Sequence, residues 1–223
     1  MGGKGRAAGR RRYAPLVLPA RVDRSAAVVI PVKAFTAAKL RLSPVLDPPA
    51  RAALARQLAD VVIRAAAPLR VVVVCDDDEV HDWARAVGAD VVWCPDRGLN
   101  GAVADGVAAL RDDGVGRAIV AHADLPLARE LAWAADFPGV TLVPDRRRDG
   151  SNVLAVPTDA GFRFAYGAGS FARHRVEAAR LGMALRIVDD HALRWDVDLP
   201  TDLDWPDLDG NAVRPPAAHP VRT

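Results

Sequence analysis

Short, nearly continuous apolar runs rich in valine recur along the chain: AAVVIPV at 26–32, RVVVVC at 70–75, DVVWC at 90–94, AIVA at 118–121 and VTLVP at 140–144. Runs this brief and this uniformly apolar suit strands buried on both faces, as in parallel sheets. Helix-like stretches separate them. Residues 48–67 place Leu54, Leu58, Val61 and Val62 on one face, behind Asp47 as a cap and prolines in the first turn. Asp76, Asp77, Asp78 and Glu79 lead into a second helix, where acids in the first turn complement the helix dipole. A turn-rich loop at 95–101 precedes a third, reaching Leu110, and further helices are expected over 127–137 and 173–181. Alternation of this kind predicts a doubly wound α/β sheet with right-handed crossovers and helices on both faces.

The rhythm breaks after residue 144. Asp149-Gly150 lies between two strand-like runs, the second at 153–156, and so signals a hairpin that makes the sheet mixed. A last strand pair is expected at 184–188 and 195–203. A chain of 223 residues fits one domain, expected over 26–206, with a basic extension at 1–25 and a tail rich in Pro and Asp at 207–223.

That extension concentrates charge. Residues 1–24 hold seven basic groups (Lys4, Arg6, Arg10, Arg11, Arg12, Arg21, Arg24) against Asp23, a net +6, so the rest of the chain sums to −4 to give the overall +2. No apolar segment follows these arginines, as a secretory signal would need, and Arg6 stands where a myristoylation signal wants Ser or Thr. No apolar run approaches the roughly 20 residues of a membrane span. Cys75 and Cys94 are too few for a disulfide framework and read as reduced core thiols. A soluble, cytoplasmic protein is expected, without nucleic acid or membrane as its partner.

Candidate functional residues cluster where strands end. The run AIVA leads into His122-Ala123-Asp124-Leu125-Pro126, so Asp124 is placed either to hold a metal or to cap the next helix before Pro126. His122 reads as a hydrogen-bonded structural histidine on the central strand. Lys33, Lys39 and Arg41 follow the first strand within a few residues, which suits a polyphosphate or, more plainly, a solvated basic loop. The chain has neither G-x-G-x-x-G nor G-x-x-x-x-G-K-[ST] here. Asn100, in RGLNG, is either an N-cap or a contact to a base or ribose edge. Gly167-Ala168-Gly169-Ser170 opens a helix and offers N–H groups to an anion; Asp149, Ser151 and Asn152 lie in the polar turn beside an arginine triplet. Asp196 and Asp198, in an extended segment, project to one face and with Asp124 make a carboxylate set suited to Mg²⁺ shared with phosphates.

Taken together, IPVKAFTAAKLRL, RGLNGAV, ADLP, PDRRRDGSN, YGAGSFARHR and WDVDLPTDL resemble, in order, the guanylyltransferases of coenzyme F420 biosynthesis, which couple GTP to 2-phospholactate or phosphoenolpyruvate. The likeness spans about 26–204. It implies a nucleotidyltransferase-type mixed, mostly parallel sheet and Mg²⁺ as the cofactor. It implies metal ligands at Asp124, Asp196 and Asp198, phosphoacid contacts at Ser151, Gly167 and Ser170, triphosphate contacts at Lys33, Lys39 and Arg41, and Asn100 beside the nucleoside. The partners implied are GTP, a small phosphoacid and a downstream transferase that takes the product; a dimer is compatible with this. Asp149-Gly150-Ser151-Asn152 departs from a Gly-Thr-Gly-Thr turn of some members, and Leu199 stands where Thr is frequent. Two alternatives stand beside this one: a nucleotidyltransferase for 3-phosphoglycerate, a sugar phosphate or a molybdenum cofactor, and a non-catalytic nucleotide- or RNA-binding protein using the basic extension.

Overall fold

The computed structural model describes residues 26–205. The basic extension and the C-terminal tail lie outside them. Seven strands, β1 (Ala26–Pro31), β2 (Arg70–Cys75), β3 (Asp90–Trp93), β4 (Arg117–Ala121), β5 (Val140–Pro144), β6 (Ser151–Pro157) and β7 (Leu185–Ile187), form one sheet. Their order is β3-β2-β1-β4-β6-β5-β7. β6 runs antiparallel to both β4 and β5, while the remaining pairings are parallel. The hairpin expected at Asp149-Gly150 is therefore present, and it reverses a single strand.

The helices are α1 (Pro48–Ala65), α2 (Asp78–Ala86), α3 (Gly98–Asp112) and α4 (Ser170–Arg180). α1 and α2 cover one face of the sheet, against Val28, Ile30 and Val73. α3 covers the other, against Ala27, Val29 and Val74, and α4 continues that layer over Leu142, Leu154 and Val156. Burial on both faces explains why β1 is apolar without alternation: Ala27, Val28, Val29 and Ile30 are wholly inaccessible. Each large side chain so placed contributes about 1.5–3 kcal/mol. Local chemistry sets the helix starts, since Asp47 accepts from Ala50 N at 2.8 Å and Asp77 from Val80 N at 3.0 Å. Gly106 lets α3 touch the sheet; a Cβ there would lie 2.6 Å from Val74 Cγ1 and 2.9 Å from Val29 Cγ1.

Two expected elements are absent. Residues 127–137 form no α-helix, only a 3-10 turn at Ala132–Ala135. Leu125, Leu127 and Leu131 are all buried, but Leu127 packs in a different group from Leu125 and Leu131, and Leu131 N donates to Ala65 O at 3.0 Å. Their apolar spacing comes from a loop pinned on several sides. Residues 195–203 are likewise no strand: they form an irregular segment ending in a 3-10 turn at Pro200–Asp202.

Candidate active site

β1 and β4 are parallel neighbours, so their carboxyl ends open at the same sheet edge. The chain leaving β1 makes two 3-10 turns, Phe35–Ala37 and Leu40–Leu42, anchored by the buried rings and methyls of Phe35 and Leu42. Between the turns Lys39 adopts a left-handed backbone at φ 55°, a conformation that costs an ordinary residue about 1–2 kcal/mol. That twist sends its side chain inward. Lys39 Nζ donates to Asp124 Oδ2 at 2.6 Å and to Val197 O at 2.7 Å, and stands 3.8 Å from Asp198 Oδ1. Arg41 Nη1 lies 3.6 Å from Asp198 Oδ2 on the exposed side. Lys33 is exposed, and no ion pair holds it among the described residues. The site therefore joins Asp124, Lys39, Arg41 and Asp198, while Lys33 faces the cleft beside them.

Burial alone would raise the Asp124 pKa, but the charges of Lys39 and His122 and the Lys39 hydrogen bond carry it below the ordinary carboxylate value. Asp196 goes the other way: burial first, then the carboxylates of Asp124 and Asp198, push it up to about 6. Asp124 Oδ1, Asp196 Oδ1 and His122 Nε2 are buried with no hydrogen-bond partner. His122 thus departs from its expected structural role. It lies one residue beyond β4, its ring packs 5.1 Å from that of Tyr166, and its Nε2 bonds to nothing. Asp196 and Asp198 converge on Asp124 through an irregular loop rather than by strand alternation.

Among the described residues no three His, Cys, Asp or Glu side chains stand close enough to form a metal cage alone. The donor set nevertheless fits Mg²⁺, which takes one or two carboxylates and completes its shell with phosphates and water. Asp124 and Asp196 each present a buried, unpartnered oxygen, and such oxygens are costly unless something satisfies them.

From Asp124 a cleft of about 500 Å³ runs across the ends of β1 and β2 to the start of α3. The second group of expected residues, Ser151, Gly167 and Ser170, does not line this cleft. Ser151 opens β6 and Ser170 opens α4; their hydroxyls are buried 3.5 Å apart. His174, one turn along α4, accepts from Ala165 N through Nε2 at 3.0 Å. Its proton therefore sits on Nδ1, which donates to Ser151 Oγ at 2.9 Å. Gly167 and Gly169 take positive φ (106° and 72°), and the Arg173 guanidinium ties their loop by donating to Ala165 O and Ala168 O.

Three of the expected residues also make scaffold contacts. Asp149 accepts from Gly169 N through its carboxylate and from Phe171 N through its carbonyl, taking N–H groups that the turn was expected to offer an anion. The Asn152 amide is buried and donates to Leu193 O. Asn100 lies inside the first turn of α3 rather than at its cap, and accepts from Tyr166 N at 2.6 Å.

Asp202 escaped sequence reasoning. Its carboxylate is fully buried, accepts from Asp198 N and Leu199 N at 2.9 and 2.8 Å, and pairs with Arg146 and Arg147. Arg146 also lies over the Trp195 ring, 4.0 Å from its centre. Asp202 thereby fastens the segment bearing Asp196 and Asp198 to the β5–β6 turn. The arginine triplet was its only signal, since arginines at a turn invite a distant acid.

A mixed sheet of this order, with an aspartate beyond its fourth strand and cations beyond its first, has the fold of the nucleotidyltransferases. Solved structures agree: a nucleotidyl transferase from Methanothermobacter superposes with a TM-score of 0.53 at 17% identity, covering 80% of this chain and 94% of that one. A Leptospira borgpetersenii cytidylyltransferase gives 0.53 at 12% identity, covering 80% and 83%. The chain belongs to the family described as guanylyl transferase CofC like, whose model matches residues 26–214. Among its relatives, the phosphoenolpyruvate guanylyltransferase of Rubrobacter xylanophilus is 35% identical over 184 residues, 78% of this chain and 90% of that one. That of Streptomyces coelicolor is 39% identical, covering 79% and 87%. The 2-phospho-L-lactate guanylyltransferase of Halorubrum lacusprofundi is 38% identical, covering 74% and 76%.

Proposed function

We propose that this chain transfers GMP from GTP to a small phosphorylated carboxylic acid, phosphoenolpyruvate or 2-phospho-L-lactate, releasing pyrophosphate in coenzyme F420 biosynthesis. The observation that carries the reading is the convergence of Lys39 on Asp124 and Asp198 at the mouth of the cleft. It gathers cations for a triphosphate and carboxylates for a divalent cation at one point.

Asp124 and Asp196, each with a buried unpartnered oxygen, would hold Mg²⁺ with Asp198 beside them, and the ion would supply charge neutralisation across the triphosphate when bound. Lys33 and Arg41, both exposed beside the cleft, bind the β- and γ-phosphates and steady the departing pyrophosphate. Ser151, Ser170 and the Gly167 loop hold the acceptor, with Ser151 set by the His174 Nδ1–H. An acceptor phosphate oxygen attacks the α-phosphorus in line, the bond from that phosphorus to the β-bridging oxygen breaks, and pyrophosphate leaves. The acceptor phosphate is already ionised near neutral pH, so the protein needs to position and neutralise rather than abstract a proton.

The test is pyrophosphate release from GTP and Mg²⁺ with phosphoenolpyruvate, 2-phospholactate or 3-phosphoglycerate offered separately, with a downstream transferase present to trap the product. Release with one of the first two acids is expected. Silence with all three, from folded protein that binds GTP, would falsify the reading.

A further inference from the structure

The cleft is crowded with charge at one end and mostly apolar at the other. Lys39, Arg41, Asp124 and Asp198 gather at the end formed by β1 and β4. At the other end the walls are Val74, Cys75, Cys94, Leu99 and Ala102, all apolar; Asp76, just beyond β2, is the one carboxylate there, and the parallel register brings Lys33, just beyond β1, alongside it. A nucleoside triphosphate whose phosphates take the cationic end has its base at this apolar end.

Asp76 has no structural task. It is exposed at the carboxyl end of β2, and no hydrogen bond or ion pair holds it among the described residues. Its neighbour Asp77 caps α2. A carboxylate offers two acceptors side by side and no donor. Of the common bases, guanine alone presents two adjacent donors on its pairing edge, N1–H and the N2 amino group. Adenine and cytosine each set an acceptor beside a donor, and uracil flanks its single N–H with carbonyls.

We propose that Asp76 selects guanine, its two carboxylate oxygens accepting from N1–H and N2–H of the base while Leu99 and Ala102 pack against the ring. This assignment rests on the guanylyltransferase reading. The cleft is then divided by chemistry, with reaction at Asp124 and recognition at Asp76.

Nucleotide binding and pyrophosphate release are measured with GTP, ITP (which lacks the 2-amino group), XTP and ATP, in wild type, Asp76→Ala and Asp76→Asn. A good bidentate base contact discriminates by about 5- to 150-fold. Wild type should prefer GTP over ITP within that range, and Asp76→Ala should lower GTP to the level of ITP. In Asp76→Asn the amide accepts from N1–H and donates to a carbonyl at C2, so XTP should gain as GTP falls. Neither substitution disturbs the α2 cap, and thermal melting should be unchanged. If wild type prefers GTP and Asp76→Ala keeps that preference, this assignment fails while the guanylyltransferase reading stands. If wild type shows no preference for GTP at all, both fail.

Discussion

Lys39 Nζ lies 2.6 Å from Asp124 Oδ2, although 85 residues separate the two in the chain. Both side chains are largely withdrawn from water, at 9% and 19% exposure. A carboxylate in that position stays ionised because the ammonium is beside it. Lys39→Met removes the compensation and is expected to destabilise the fold by about 3 kcal/mol, the usual result of orphaning one partner of a buried pair. The double variant Lys39→Met/Asp124→Asn recovers part of that loss. Urea unfolding of the single and double variants measures the coupling, and strict additivity would sink the idea.

Asp124→Asn keeps the shape of the side chain and removes its charge. Turnover is expected to fall by at least about 10²- to 10³-fold, the scale on which electrostatic groups at reacting centres act. Far-UV circular dichroism should be unchanged. Near-normal pyrophosphate release from a folded Asp124→Asn protein would refute the role given to this residue.

His174 supplies a pH dependence of stability. Burial first, then the charge of Arg173, lowers its pKa from 6.5 to about 4. On acidification the unfolded chain therefore takes up this proton before the folded one does. The contribution is fully present above pH 6.5 and is lost as pH falls through about 4, amounting to about 3 kcal/mol. His174→Gln cannot titrate and should flatten that portion of the melting-temperature profile. An identical pH profile in the variant would contradict this account.

Asp202→Asn should loosen the segment that carries Asp196 and Asp198 without touching substrate. The partly exposed guanidinium groups of Arg146 and Arg147 lose their counter-charge at a buried position, and a destabilisation of about 1–3 kcal/mol is expected. Divalent-cation affinity, read from Mn²⁺ paramagnetic resonance in the presence of GTP, should fall with it. Unaltered Mn²⁺ binding would reduce Asp202 to a purely structural acid.

Much of the fold was legible because burial on both faces writes itself into composition: β1, β2 and β4 could be read directly from valine-rich runs. Asp149-Gly150 announced the hairpin, and Asp47 and Asp77 announced their helices. The helix expected over 127–137 failed because leucines at helical spacing were answering to different packing partners. The strand expected over 195–203 failed because its path is set by Asp202, four residues beyond the Asp198 N–H that it holds. Candidate residues could be named from charge and strand ends, but not their pairing. Lys39 reaches Val197 across 158 residues, and no local pattern encodes such a meeting.

The reversal of β6 has one further consequence. Running against β4, it brings Ser151 to the sheet edge from which Asp124 emerges, yet Ser151 reaches that edge at the start of its strand rather than the end. The residues proposed for the base and the phosphates fall within 33–124 and those proposed for the acceptor lie from 151 to 170, while Asp196 and Asp198 return to the phosphate end from later in the chain. A change confined to Gly150, Ser151 and Asn152, which leaves Arg146 and Arg147 on Asp202, is therefore the one expected to retarget the acceptor while the nucleotide half stays as it is.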